Sequence, residues 1–220
     1  MKKNCHYFTT GILIIVALIL IFHIQITNYM INSFHPHIDE TEVYDVPYNL
    51  DDIKLINFFD VMKARINHPE IHVTGIVYNE NLGLNVPIAN GVDNTILCLC
   101  AATLSPNENI GKGDYTLMAH NPQYSKTTLF SPLYHNAHVG TEIYVTDFKK
   151  NYTFQIVSQK TISKEKYSCL SSDKHPTLTL ITNSHKNKEK EIYIGKLTSV
   201  TDFDNLSQHT KRYLKQKISY

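Results

Sequence analysis

His175-Pro-Thr-Leu-Thr-Leu-Ile-Thr-Asn-Ser184 is the stretch that decides how this 220-residue chain folds. Leu178, Leu180 and Thr182 alternate with Thr177, Thr179, Ile181 and Asn183, the two-residue period of a half-buried strand. A polar loop with several lysines follows, then a second β-rich run, Glu191-Ile-Tyr-Ile-Gly-Lys-Leu197. Upstream the same period returns. Ile71 to Tyr78 and Leu84 to Ile88 read as strands around a turn at Asn79–Asn81. Tyr115 to Asn121 reads as another strand. Thr141–Thr146 and Asn151–Val157 flank Asp147-Phe-Lys-Lys150 as a hairpin. Thr95 to Leu104 is apolar but too short to type by pattern, and Ser105 to Gly113 is a loop. Seven or eight strands with few helices suit a closed barrel.

The N-terminal side is organised differently. From Gly11 to Phe22 no polar side chain occurs, and with its flanks the segment 7–26 reaches about twenty residues, enough to cross a hydrocarbon core of about 30 Å as a helix. Lys2 and Lys3 precede it, which places residues 1–6 in the cytoplasm and the rest outside. A cleaved signal peptide is the rival reading. His23, Ile24, Gln25 and Ile26 follow the apolar run where small residues would mark a cleavage site, so the uncleaved anchor is favoured. Residues 27–49, with Pro36, Pro47 and a run of acids, read as a stalk. Leu50 to Ile66 reads as a helix, with Asp51 and Asp52 in its first turn and Lys63 and Arg65 in its last.

Charge and cysteine usage exclude several functions. Lys2 and Lys3 belong to the 21 basic residues, so beyond the apolar run 19 basic face 20 acidic side chains. No basic stripe for nucleic acid results. Cys98 and Cys100, if on a strand, face the same way and are poorly placed for a mutual disulfide. His135, His138, His175 and His185 lack the short regular spacing of a zinc site, and no cofactor motif is present. The basic tail 205–220 reads as a short helix with a solvated terminus, contact with anionic wall polymer or lipid head groups being the less favoured alternative.

Two stretches resemble the sortase family, class A most closely. One is the strand 177–183, near the end of the domain, where the family has Thr-Leu-x-Thr-Cys and this chain has Thr179-Leu-Ile-Thr-Asn183. The other is Met118-Ala-His120 followed by Leu129-Phe-Ser-Pro-Leu133, similar to the family's Ala-Gly-His tripeptide and its Leu-Phe-Ser-Pro-Leu turn. The resemblance spans roughly residues 71–204, within a domain bounded at 50–204. It implies a membrane-anchored, sortase-type β-barrel outside a Gram-positive-type cell.

It also implies a site. Sortases cut surface proteins at a Leu-Pro-x-Thr-Gly signal: a Cys thiolate attacks the Thr carbonyl, a His handles protons, and an Arg supports the oxyanion. The thioacyl enzyme is then resolved by an amine of the cell-wall precursor. By position His120 is the histidine, Asn183 stands where the nucleophile would be, and Lys190 falls at the arginine position when the strand is anchored on Gly195. Ala119, Thr182 and Cys169 border the implied substrate groove, Cys169 from the polar connection Lys160–His175. A carboxamide supplies no anion, so the resemblance implies a sorting-signal-binding or accessory protein impaired in catalysis. Two altered positions of three indicate changed chemistry rather than one replacement. The alternatives are an active cysteine transpeptidase using Cys169 and a structural domain that has drifted.

Overall fold

The computed structural model describes residues 2–36, 38, 48, 53–66, 71–106, 108–163, 175–185 and 189–218, with no side-chain description for residues 2–6. A 31-residue helix, α1 (Lys2–Asn32), leads into the domain. Within it Tyr7–Asn32 is long and apolar enough to cross a membrane. The helix does not stop where the stalk was expected to begin. It runs on to Asn32, and Thr27, Ile31 and Phe34 are buried against the domain. A hydrophobic residue at every third or fourth position from Thr27 to Phe34 gives this end a face to pack, which prolines and acids further along concealed.

The following helix, α2, covers Phe58–Ile66 rather than beginning at Leu50. Its start is set by Asn57, whose side-chain oxygen accepts the Asp60 N–H at 3.0 Å while its backbone carbonyl accepts the Val61 N–H at 3.1 Å. That is an N-cap, and it overrides the acids of the expected first turn, Asp51 and Asp52, which lie outside the described residues. Val61 and Ala64 form its buried face.

Eight strands close a barrel: β1 (Val73–Asn79), β2 (Leu84–Ala89), β3 (Ala101–Thr103), β4 (Asp114–Met118), β5 (Glu142–Thr146), β6 (Lys150–Ser163), β7 (Thr177–Asn183) and β8 (Glu189–Asp202). Their order around the barrel is β1-β2-β3-β4-β7-β8-β6-β5, with β5 pairing back to β1. The pairs β2–β3 and β4–β7 are parallel and the others antiparallel. Closure gives each of these strands a neighbour on both sides. The interior is filled by alternate residues of each strand, among them Ile76, Leu117, Phe154, Leu180 and Tyr193. Gly75 and Gly195 let neighbours come close: a Cβ at Gly75 would lie 2.4 Å from the Thr146 carbonyl oxygen, and one at Gly195 3.1 Å from Phe154 Cβ.

The ambiguous apolar run splits in two. Asn94–Leu99 forms α3, capped by the Asp93 carboxylate accepting the Ile96 N–H at 2.7 Å, and Ala101–Thr103 forms β3. Cys98 therefore sits on a helix and Cys100 at its end, both buried and both free, not side by side on a strand. Part of the expected polar connection is also strand. β6 continues through Lys160–Ser163, paired with Glu189–Ile192 of a longer β8 whose other side pairs with β7, so side chains that looked like loop belong to the sheet. Residues 164–174 lie outside the described part.

The described part of the tail is docked on the domain through two buried side chains rather than free. A 3₁₀ turn at Phe203–Asn205 leads into α5 (Gln208–Leu214), and Leu214 and Ile218 are buried. Tyr213 Oη donates to the Leu84 carbonyl at 3.0 Å, and Lys217 Nζ donates to the Asn32 carbonyl at 2.7 Å. The tail thus joins β2 to the end of α1. Burial, more than any neighbouring charge, brings the Lys217 ammonium down to about 8.

Candidate active site

Strand register brings the site together. The parallel pair β4–β7 ends with Met118 opposite Ile181, and the Ala119 N–H extends the ladder to the Ile181 carbonyl at 3.1 Å. His120, two residues beyond Met118, therefore stands level with Asn183, two beyond Ile181. On the other side β7 runs antiparallel to β8 with Asn183 directly opposite Lys190. Three side chains from three strand ends meet at one end of the barrel.

The chain after His120 holds it there. Leu129 adopts a left-handed backbone (φ 49°), and the turn it makes brings the Phe130 N–H to the His120 carbonyl at 3.0 Å. α4 (Ser131–Asn136) then begins, with Pro132 in its first turn and Phe130 and Leu133 fully buried. The Leu-Phe-Ser-Pro-Leu stretch is thus a clamp on the histidine backbone. Asn121 adds a second tie, its side-chain amide donating to the Asn183 carbonyl at 3.1 Å.

Lys190 Nζ donates to Asn183 Oδ1, and Asn183 Nδ2 lies 3.2 Å from His120 Nδ1. An ammonium has only donors, so the Asn183 oxygen faces it and the Asn183 amine faces the imidazole. His120 Nδ1 is then the acceptor, and a neutral ring carries its proton on Nε2. His120 and Lys190 are each 4% exposed. Burial first, and the Lys190 charge second, push the His120 imidazolium down to about 3, so the ring is neutral at physiological pH. The triad is a closed hydrogen-bond chain in which one carboxamide serves both neighbours.

Beside it lies a cleft of about 380 Å³, walled by the triad, Gln123, Ser184, His185, Glu189 and the extended segment Ile53–Leu55. That wall was not anticipated, because Ile53 was expected inside a helix. Asn57 followed three residues later by Asp60 was the signal that the helix starts after it. At the rim, the His185 and Tyr134 rings are 4.5 Å apart and His135 stands edge-on to both. Ala119 and Thr182 do not line this cleft. Thr182 is fully buried and its hydroxyl donates to the Ala119 carbonyl at 2.9 Å, because one step along a strand turns a side chain to the opposite face from Asn183. Cys169 lies outside the described residues. Cys98 and Cys100 are buried away from the cleft, and burial raises both thiols, Cys98 to about 12. Among the described residues no three His, Cys, Asp or Glu side chains converge as metal ligands.

Comparison with known proteins fits this geometry. A sortase-domain family profile matches residues 77–198. The chain belongs to the sortase family. The sortase barrel here is similar to that in the crystal structure of Listeria monocytogenes sortase A, with a TM-score of 0.58 and 24% identity over 65% of this chain and 97% of that one. In sequence, sortase A of Listeria monocytogenes is 26% identical over 181 residues, covering 78% of this chain and 81% of the listerial protein. Sortase A of Streptococcus agalactiae is also 26% identical, over 241 aligned positions covering 99% of this chain and 97% of the streptococcal protein.

Proposed function

We propose that this sortase-family protein is a membrane-anchored binding or accessory module for sorting-signal peptides, with transpeptidation lost or severely impaired. The observation that carries the proposal is the engagement of Asn183. A sortase-type reaction needs a nucleophile that attacks a Thr carbonyl, becomes acylated and is released by an amine. The Asn183 carboxamide has no accessible anion, and its oxygen and nitrogen are already committed to Lys190 and His120. His120, neutral and buried, donates or accepts a hydrogen bond, and neither Cys98 nor Cys100 lines its cleft. Lys190 keeps the positive charge of the arginine position without the planar two-pronged donor that fits an oxyanion or carboxylate.

What remains suits recognition. The cleft beside the triad offers carboxamide, imidazole and Gln123 groups for the carbonyls and amides of an extended peptide, with Ile53 and Leu55 as an apolar wall. The cell-wall precursor amine is a second partner by family membership, and no role is assigned to nucleic acid. In this reading residues 7–26 span the membrane with the N-terminus cytoplasmic and the barrel outside the cell, an orientation that Lys2 and Lys3 before the apolar run support. Titration of the whole chain with a Leu-Pro-x-Thr-Gly peptide, following binding and cleavage separately, tests this. Saturable binding without cleavage is the expected result, and neither binding nor cleavage would reduce the barrel to a structural domain.

A further inference from the structure

α2 is apolar on two sides. Val61 and Ala64 are buried where the helix packs on α3 and the end of α1, as expected of a short helix on a globular domain. Phe59, Met62 and Ile66, spaced i, i+3 and i+7, form a second stripe that points outward and is 70%, 40% and 71% exposed. Leu55, 78% exposed, extends the stripe to the wall of the cleft. Three large apolar side chains in line on one helix face, with an exposed Leu55 just before the helix, mark a contact site rather than scattered exposure.

The position of the stripe identifies what covers it. The last turn of α2 meets the end of α1: the Arg65 guanidinium lies over the Phe34 ring, 5.5 Å from its centre, two residues beyond α1. Lys217 Nζ reaches the last carbonyl of α1 from the other side. Tyr29, one turn from that end and 72% exposed, is the kind of side chain that settles where hydrocarbon gives way to head groups. Lys63 on α2 and Lys215 beside Lys217 are exposed cations at the same end of the domain, the sign that anionic lipid head groups attract. An apolar stripe with flanking cations on a short helix is the pattern of a segment lying in the membrane interface.

We propose that Phe59, Met62, Ile66 and Leu55 lie in the outer leaflet of the bilayer that α1 crosses. α2 is then a second membrane contact, lying flat, and it holds the mouth of the cleft at the lipid surface. The proposal rests on α1 being a membrane span.

The chain contains no tryptophan, so single-Trp variants report on one position each. The test uses the whole chain in phosphatidylglycerol vesicles containing phosphatidylcholine brominated either near the headgroup end or near the methyl end of its acyl chains. The Phe59→Trp variant, and independently Met62→Trp, should emit to the blue and lose most of its emission to bromines near the headgroup end. Val139→Trp, at an exposed site on the barrel, should emit to the red and be unaffected. Ile15→Trp, in the middle of the apolar run, should be quenched by bromines near the methyl end. Quenching of Ile15→Trp without quenching of Phe59→Trp and Met62→Trp would overturn the proposal and leave the span standing. Absence of quenching in all three would overturn both. Blue-shifted Phe59→Trp emission that ignores bromine would also overturn it, by showing the stripe covered by a second copy of the chain instead.

Discussion

Acidification should weaken the fold through His120. Its folded-state value near 3, against an ordinary 6.5, means that the folded protein resists protonating a ring that the unfolded chain protonates readily. The sign follows: a depressed imidazolium value leaves stability intact above pH 6.5 and removes it as pH falls from 6.5 towards 3. At about 1.4 kcal/mol per decade, this one group costs the fold about 2 kcal/mol by pH 5 and up to about 5 kcal/mol at pH 3. Two assays read it. In an NMR titration the His120 ring signals should not move between pH 7 and about 5, where exposed histidines do. In urea unfolding of the detergent-solubilised chain, His120→Gln should lose about 2 kcal/mol less than the wild type on going from pH 7 to 5. Lys190→Met should raise the His120 value, because one of its two causes is removed, and leave it below 6.5, because burial is the larger cause. A His120 ring that titrates near 6.5 in the folded wild type, or a His120→Gln protein with the wild-type acid slope, would refute the buried neutral imidazole and the tautomer built on it.

Three further outcomes follow, two from packing and one from the apolar run. Gly75→Ala places a methyl group 2.4 Å from the Thr146 carbonyl across the β1–β5 pair, and should lower stability by about 1–3 kcal/mol, read as a drop in Tm. Leu214→Ala should cost about 2–5 kcal/mol, because the tail is part of the core rather than a free end, and a change below 0.5 kcal/mol in denaturant unfolding would contradict that docking. The cell-bound protein should retain residues 7–26, and N-terminal sequencing that begins at residue 27 or later would show the segment to be a cleaved leader.

Legibility differed sharply between barrel and surroundings. Strands whose one face fills the barrel, such as Thr177–Asn183 and Val73–Asn79, carry their period openly in the sequence. The segment Lys160–Ser163 does not, since Lys160, Thr161 and Ser163 are exposed and only Ile162 packs against the core, so that pairing with Glu189–Ile192 makes it strand. The α3–β3 run was ambiguous because the seven consecutive apolar residues Ile96–Ala102 satisfy either period, and Asp93 as N-cap decided it locally. The meeting of His120, Asn183 and Lys190 was legible only as a resemblance. No spacing in the sequence brings residues 120 and 183 together; the parallel β4–β7 register does. Ala119 and Thr182 sit one residue before His120 and Asn183, and alternation along a strand turns them away from the cleft that those two line. The wall formed by Ile53–Leu55 was hidden by a helix boundary set too early.

Whether residue 183 lacks a nucleophile in practice is settled by intact-protein mass spectrometry after incubation with a Leu-Pro-x-Thr-Gly peptide, comparing wild type, Asn183→Cys and Cys169→Ala. The wild type should show no acyl adduct and no cleaved peptide, since loss of a catalytic nucleophile removes several orders of magnitude of rate. Asn183→Cys should gain a thioester adduct beside His120, and adding Lys190→Arg should increase it by restoring the planar donor for the oxyanion. An acyl adduct and peptide turnover in the wild type that vanish in Cys169→Ala would contradict the account and make Cys169 the nucleophile.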